Sequence, residues 1–108
     1  MTIITQLSVQ ELKIKLDQQE PLLLLDVREP AEFAYAHIAG SVLIPLSQIP
    51  QHLHELNKEQ EIVLICHHGF RSQQVALYLE TMGFKHLANL RGGIDEWSLY
   101  CDTAVPRY

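Results

Sequence analysis

The sequence predicts one α/β domain with about five strands in a mostly parallel sheet and helices on both faces. Three observations lead there. Short apolar runs alternate with segments of helical periodicity, the pattern of repeated βαβ units. Residues 22–26 and 62–65 are continuously apolar up to their ends, as in strands covered on both sides. A chain of 108 residues holds one modest core and no second, so a single domain over 1–108 is expected.

Each element follows in order. Residues 3–7 form a short edge strand or extended lead. Ser8 and Glu11 make a capping box, after which Val9, Leu12 and Leu16 share one helical face. Pro21 interrupts, and residues 22–26 form a buried strand. Pro30 stands at a first helical position and opens a short helix through Tyr35. A brief strand follows at 42–44. Leu46, Ile49, Leu53 and Leu56 then line one side of a helical segment whose regular part starts near Pro50. Residues 62–65 make a strand that feeds the loop beginning at Cys66. The next helix is expected over 73–82, burying Val75, Ala76, Leu79 and Met82 and stopping at Gly83. Residues 86–90 are the last strand, and Gly92-Gly93 turns it into a final helix carrying Trp97. No repeat, low-complexity tract or linker breaks the pattern.

Composition narrows the function classes. Apolar residues make up 47% and charged residues 19%, as in an ordinary globular protein. A net charge of −5 without a basic cluster argues against a nucleic-acid surface. The longest apolar run is strand-sized, so no membrane span is expected. The first residues lack a basic segment followed by a long apolar one, and the two cysteines do not suggest a disulfide scaffold. A reducing cytoplasm is the expected location.

The most informative segment is Cys66-His67-His68-Gly69-Phe70-Arg71-Ser72. A thiol at the C-terminal end of a buried strand, on a short loop before a helix, faces free backbone N–H groups that stabilise a thiolate or a bound anion. Arg71 adds fixed positive charge. Gly69 permits backbone angles that turn several N–H groups inward as an anion nest. Only four residues separate Cys66 from Arg71. The Cys-x5-Arg loop of cysteine-dependent phosphatases has five and encloses a tetrahedral phosphate. The shorter loop suits the terminal sulfur of a persulfide better than a phosphoryl group.

At this point the chain resembles the rhodanese family of single-domain sulfurtransferases. Three separated motifs agree in order and spacing: residues 25–33 (LDVREPAEF) with 36–41 (AHIAGS) and Ile44-Pro45; the Cys66 to Ser72 loop; and residues 90–97 (LRGGIDEW). Together they span nearly the whole chain. Ala36 departs from the family's usual Gly before His37, at little cost if the backbone angle there is ordinary. The loop is also less basic than in efficient thiosulfate users.

The resemblance implies a two-step transfer. The Cys66 thiolate takes the outer sulfur of a small-molecule donor such as thiosulfate, and sulfite leaves. A thiophilic acceptor, cyanide in an assay or a cellular thiol, then removes the sulfur from the Cys66 persulfide. Arg71 and the loop amides stabilise negative charge like an oxyanion hole. Substrate binding is expected at His67, His68, Gly69, Phe70, Arg71 and Ser72. Ser72 is expected to cap the following helix and to donate to the sulfur. Phe70 is expected to wall the pocket with apolar surface. Asp26 and Arg28 support the site by bracing the loop through ion pairs, and His37 is structural. No cofactor is called for.

Alternatives stay open beside this. The chain could be a sulfur-relay carrier loaded by a persulfide-bearing or thioredoxin-like partner protein. A phosphatase or arsenate reductase is disfavoured by the short loop, and a non-catalytic module by the presence of Cys66 and Arg71. His67 and His68 beside Cys66 lack the spacing of a metal site and are expected to supply donors and part-time positive charge. Trp97 is a core or pocket-wall residue. Cys101 is either a partly buried small residue or a thiol that resolves Cys66.

Overall fold

A computed structural model describes residues 4–108. Its sheet has five strands: β1 (Thr5–Leu7), β2 (Leu22–Asp26), β3 (Val42–Leu43), β4 (Glu61–Ile65) and β5 (Leu87–Leu90). The helices are α1 (Val9–Asp17), α2 (Pro30–Tyr35), α3 (Ile49–His52), α4 (Phe70–Thr81) and α5 (Gly93–Tyr100). Single 3-10 turns at Leu46–Gln48 and Leu53–Glu55 flank α3. The strand order is β1-β5-β4-β2-β3, and all pairings are parallel. The lead expected from residue 3 begins as a strand at Thr5; Ile3 lies outside the described residues.

Strand parity sorts the core into two layers. Leu25, Ile62, Leu64 and Cys66 face one side and pack with Ile49 of α3 and Val75, Ala76 and Leu79 of α4. Leu24, Val63, Ile65, Ala88 and Leu90 face the other and pack with Val9 and Leu12 of α1 and Ile94 and Trp97 of α5. Helices on both faces were expected, and both faces are covered. Each fully buried Leu or Ile contributes about 1.5–3 kcal/mol relative to an exposed one, so the central strand β4 anchors the domain.

Local signals set the element ends. The Ser8 hydroxyl accepts from the Glu11 N–H at 3.1 Å and the Glu11 carboxylate accepts from the Ser8 N–H at 2.8 Å, a reciprocal capping box. Gly83 stops the α4 segment with φ +93°, in the left-handed region. Two expectations need correction. Met82 is 40% exposed, because the helix ends at Thr81 and the turn carries Met82 off the buried face. The segment around Pro50 is one α turn between two 3-10 turns rather than a longer helix. Among the described residues, no helix is long and apolar enough to cross a membrane.

The order places β2, β4 and β5 side by side, with Asp26 paired to Ile65 and Leu64 to Asn89. Their carboxyl ends therefore lie together at one edge of the sheet, where ligands bind in open parallel sheets.

Candidate active site

Cys66 follows β4 at that edge and is 1% exposed. Its sulfur receives the Gly69 N–H at 3.0 Å and lies 3.2 Å from the Ser72 hydroxyl. The Gly69 backbone is left-handed, φ +100°, and a Cβ there would strike the Arg91 carbonyl. Only glycine fits, and its amide is thereby aimed at the sulfur. Helix α4 starts at the next residue, so its N-terminal end, with the positive pole of the helix dipole, stands over the thiol.

The loop is held from behind by the β5–α5 turn. The Cys66 carbonyl accepts from Ile94 N–H at 2.9 Å and the His67 carbonyl from Asp95 N–H at 3.1 Å. Gly93 makes this contact possible: its φ is +63°, and a Cβ would strike the Cys66 and His67 carbonyls. The Gly92-Gly93 pair thus seats the first turn of α5 on the loop.

Ser72 does not cap α4. The helix begins at Phe70 with Gly69 as its N-cap, so Ser72 lies within the first turn, fully buried. Its hydroxyl donates to the Asn89 amide oxygen at 2.5 Å. Asn89 in turn donates to the Gly69 carbonyl at 3.2 Å and to the Gln6 side-chain oxygen at 3.0 Å. The Gly69 carbonyl can only accept, which fixes the amide's orientation and turns its oxygen to Ser72.

Asp26 and Arg28 form an ion pair at 2.6 Å with both side chains fully buried. Asp26 Oδ1 also accepts from the Arg28 backbone N–H at 3.1 Å. Arg28 also donates to the Ala36 carbonyl at 2.6 Å and to the Tyr108 hydroxyl at 2.8 Å. Ala36 itself is extended (φ −156°), a backbone any residue adopts, so the missing glycine is tolerated.

Arg71 is bidentate to Glu32, at 2.7 and 3.0 Å. The guanidinium and two further bonds, from the Glu29 N–H and the Tyr108 hydroxyl, hold the Glu32 carboxyl down at about 2, so the pair is ionised at neutral pH. The hydroxyl of Tyr108 donates to the same carboxylate at 2.8 Å. Its ring stacks on His67, with centroids 4.0 Å apart and planes 7° apart.

For His67 the surroundings run against the expected positive charge. Burial, helped by the neighbouring His68, pushes the His67 imidazole below its usual range, which disfavours its charged form. Its ring lies 3.9 Å from that of His68. Phe70 is 81% exposed: it is the first residue of α4 and points to solvent, so it does not wall off the sulfur. His37 is structural, stacked on Phe33 and bonded to its carbonyl at 2.8 Å. Trp97 is a core residue.

Cys101 packs in the layer on the opposite side of the sheet from Cys66, and its thiol donates to the Val9 carbonyl at 3.4 Å. Burial raises its pKa. The sheet separates the two sulfurs, which corrects the resolving-thiol alternative. Among the described residues no cluster of three or more His, Cys, Asp or Glu gathers that could hold a metal ion.

Sequence reasoning passed over Asn89, Gln6 and Tyr108. Asn89 carried a signal, as the lone polar residue in the apolar strand β5. Tyr108 carried none.

Comparison with known proteins follows this geometry. The family model described as rhodanese-like domain matches residues 8–100. A protein of Allochromatium vinosum named sulfurtransferase is 34% identical over 96 residues, covering 89% of this chain and 90% of that one. A Bacillus subtilis protein named as a candidate sulfur carrier is 41% identical over 95 residues, 88% of this chain. The match spans only 51% of that relative's length. The crystal structure of a rhodanese-like domain protein from Staphylococcus aureus superposes with a TM-score of 0.82 at 31% identity, over 97% of this chain and 99% of that one.

Proposed function

The chain belongs to the rhodanese-like domain family, among relatives named as sulfurtransferases; from that premise we propose that it moves a sulfane sulfur through a persulfide on Cys66. The observation that carries this reading is the Cys66 sulfur itself, which accepts the Gly69 N–H at 3.0 Å beneath the start of α4. An amide donor and a helix N-terminus favour negative charge on that sulfur, first as thiolate and then as the terminal sulfur of a persulfide.

In the first half-reaction the Cys66 thiolate attacks the outer sulfur of a donor. The bond to the donor's leaving group breaks, and that group departs with the electron pair. In the second, a thiol or cyanide attacks the outer sulfur of the persulfide and restores the thiolate. The free N–H groups in the first turn of α4 offer donors for charge on the outer sulfur. The four-residue spacing of the loop suits one added sulfur better than a phosphoryl group.

The donor is a small molecule such as thiosulfate or, as a second reading, a persulfide-bearing or thioredoxin-like protein. The neutral pairing of Arg71 with Glu32 favours the second. A reducing, cytoplasmic compartment would keep Cys66 and Cys101 as free thiols.

Steady-state kinetics test the covalent scheme. With donor and acceptor both varied, double-reciprocal plots should be parallel. Lines that intersect would mean that both substrates must be bound together, and the persulfide relay would fall.

A further inference from the structure

The guanidinium that the loop offers an anion is already occupied. Arg71 Nη1 and Nη2 donate to the two oxygens of Glu32. The carboxylate is pinned by two more donors, the Glu29 N–H on Oε1 at 3.0 Å and the Tyr108 hydroxyl on Oε2 at 2.8 Å. Tyr108 is in turn anchored by Arg28 at 2.8 Å and by stacking on His67. Glu32 is therefore a fixed acceptor, held from α2 and from the end of the chain. The neighbouring charges are matched in the same way, Arg28 by Asp26 and Arg107 by Asp95.

A bidentate guanidinium–carboxylate pair uses the two parallel N–H vectors that would grip two oxygens of an oxyanion. Thiosulfate, a dianion with three such oxygens, meets a neutral pair with a carboxylate in front. It gains the Nη1–Nη2 fork of Arg71 only by displacing Glu32. An organic persulfide has no oxygen fork to place and needs only the sulfur-facing amides. We infer that Glu32 is a specificity-determining residue, whose carboxylate fills the Arg71 fork and turns the site from oxyanion-bearing donors toward organic persulfides. This rests on the sulfurtransferase reading and deepens it to a donor class. The transfer balances without a further reagent. The Cys66 thiolate attacks the terminal sulfur of R–S–SH, the new S–S bond forms, and the donor's own S–S bond breaks to release R–S⁻ while the terminal sulfur keeps its proton.

The test times sulfur loading of Cys66 by intact mass, with thiosulfate and with the persulfide of 2-mercaptoethanol, in the wild type, Glu32→Gln and Glu32→Asp. Glu32→Gln should load from thiosulfate about tenfold faster, the effect of removing one like charge beside a dianion at a partly exposed site. Its loading from the organic persulfide should stay within about twofold, since no oxyanion is involved. Glu32→Asp keeps the charge and should keep the wild-type preference. No gain with thiosulfate, or an equal gain with both donors, overturns the assignment. Should Glu32→Gln not fold, the wild type decides. Sulfate at about 10 mM, a dead-end oxyanion, should leave persulfide loading unchanged if the fork is filled, and inhibition there overturns the proposal. Loading from the persulfide with no effect of Glu32 removes only this inference. Failure of every donor on every form removes the sulfurtransferase reading, and this inference with it.

Discussion

The Ser72 hydroxyl oxygen lies 3.2 Å from the Cys66 sulfur, inside the first turn of α4 and away from solvent. With its proton on Asn89, the Ser72 oxygen can accept from a Cys66 thiol. Toward a thiolate, rotation of one hydroxyl makes it a donor to sulfur. One side chain thus serves both protonation states, held at the right distance by a buried amide on β5.

Removing that hydroxyl should slow the chemistry and leave the fold intact. Ser72→Ala is expected to load sulfur about tenfold more slowly, the loss of one hydrogen bond to a charged group, and to cost about 1 kcal/mol of stability, because the buried Asn89 amide oxygen loses its donor. Asn89→Ala should in addition lose about 2 kcal/mol of stability, because the buried Gly69 carbonyl loses its donor. Loading time courses and thermal melts check both.

The Asp26–Arg28 pair predicts a non-additive result. Arg28→Met strands a fully buried carboxylate and should cost about 3 kcal/mol or more, roughly 10–20 °C of melting temperature for a domain of this size. Adding Asp26→Leu removes the stranded charge and should recover part of that loss. A double variant less stable than the single would count against the pair as an electrostatic unit.

Acid should loosen the clamp on the loop. Glu32 titrates at about 2 in the folded chain against an ordinary value of 4.5, mainly because Arg71 donates to it. A depressed carboxyl stabilises the fold above the unfolded value, and the contribution is lost as pH falls from about 4.5 toward 2. Solvent reaches the pair, so the contribution is about 1 kcal/mol. The stability difference between wild type and Glu32→Gln should therefore shrink between pH 6 and about pH 3 in denaturant titrations. A difference constant with pH would mean that the ion pair contributes nothing.

Cys101→Ser should leave sulfur loading and turnover unchanged, since Cys101 packs beneath α1 and α5 on the far side of the sheet. Mild oxidation should produce no intramolecular disulfide, as counted by free thiols. A Cys66–Cys101 bond would require the two layers to separate.

Much of the fold was legible because its signals are local. The Ser8–Glu11 box, Pro30 at the start of α2 and the continuously apolar β2 and β4 each act within a few residues. The candidate loop stood out too, since Cys66, Gly69 and Arg71 lie within six residues of one another. The start of α4 was misplaced because the left-handed Gly69 lets the helix begin at Phe70, inside the motif. That one shift turns Phe70 outward and moves Ser72 from a cap position into the first turn, where it still lies beside the sulfur as expected. Tyr108 meets Arg28 across 80 positions and Glu32 across 76, and no periodicity in the sequence encodes contacts at that range.

The central claim is that Cys66 carries the sulfur, and intact mass of the purified protein tests it most directly. After incubation with a sulfane donor, the wild type should gain one sulfur atom, cyanide should strip it off, and Cys66→Ser should gain none. A wild type whose mass does not change with thiosulfate or an organic persulfide, or a Cys66→Ser variant that still gains sulfur, would contradict the account.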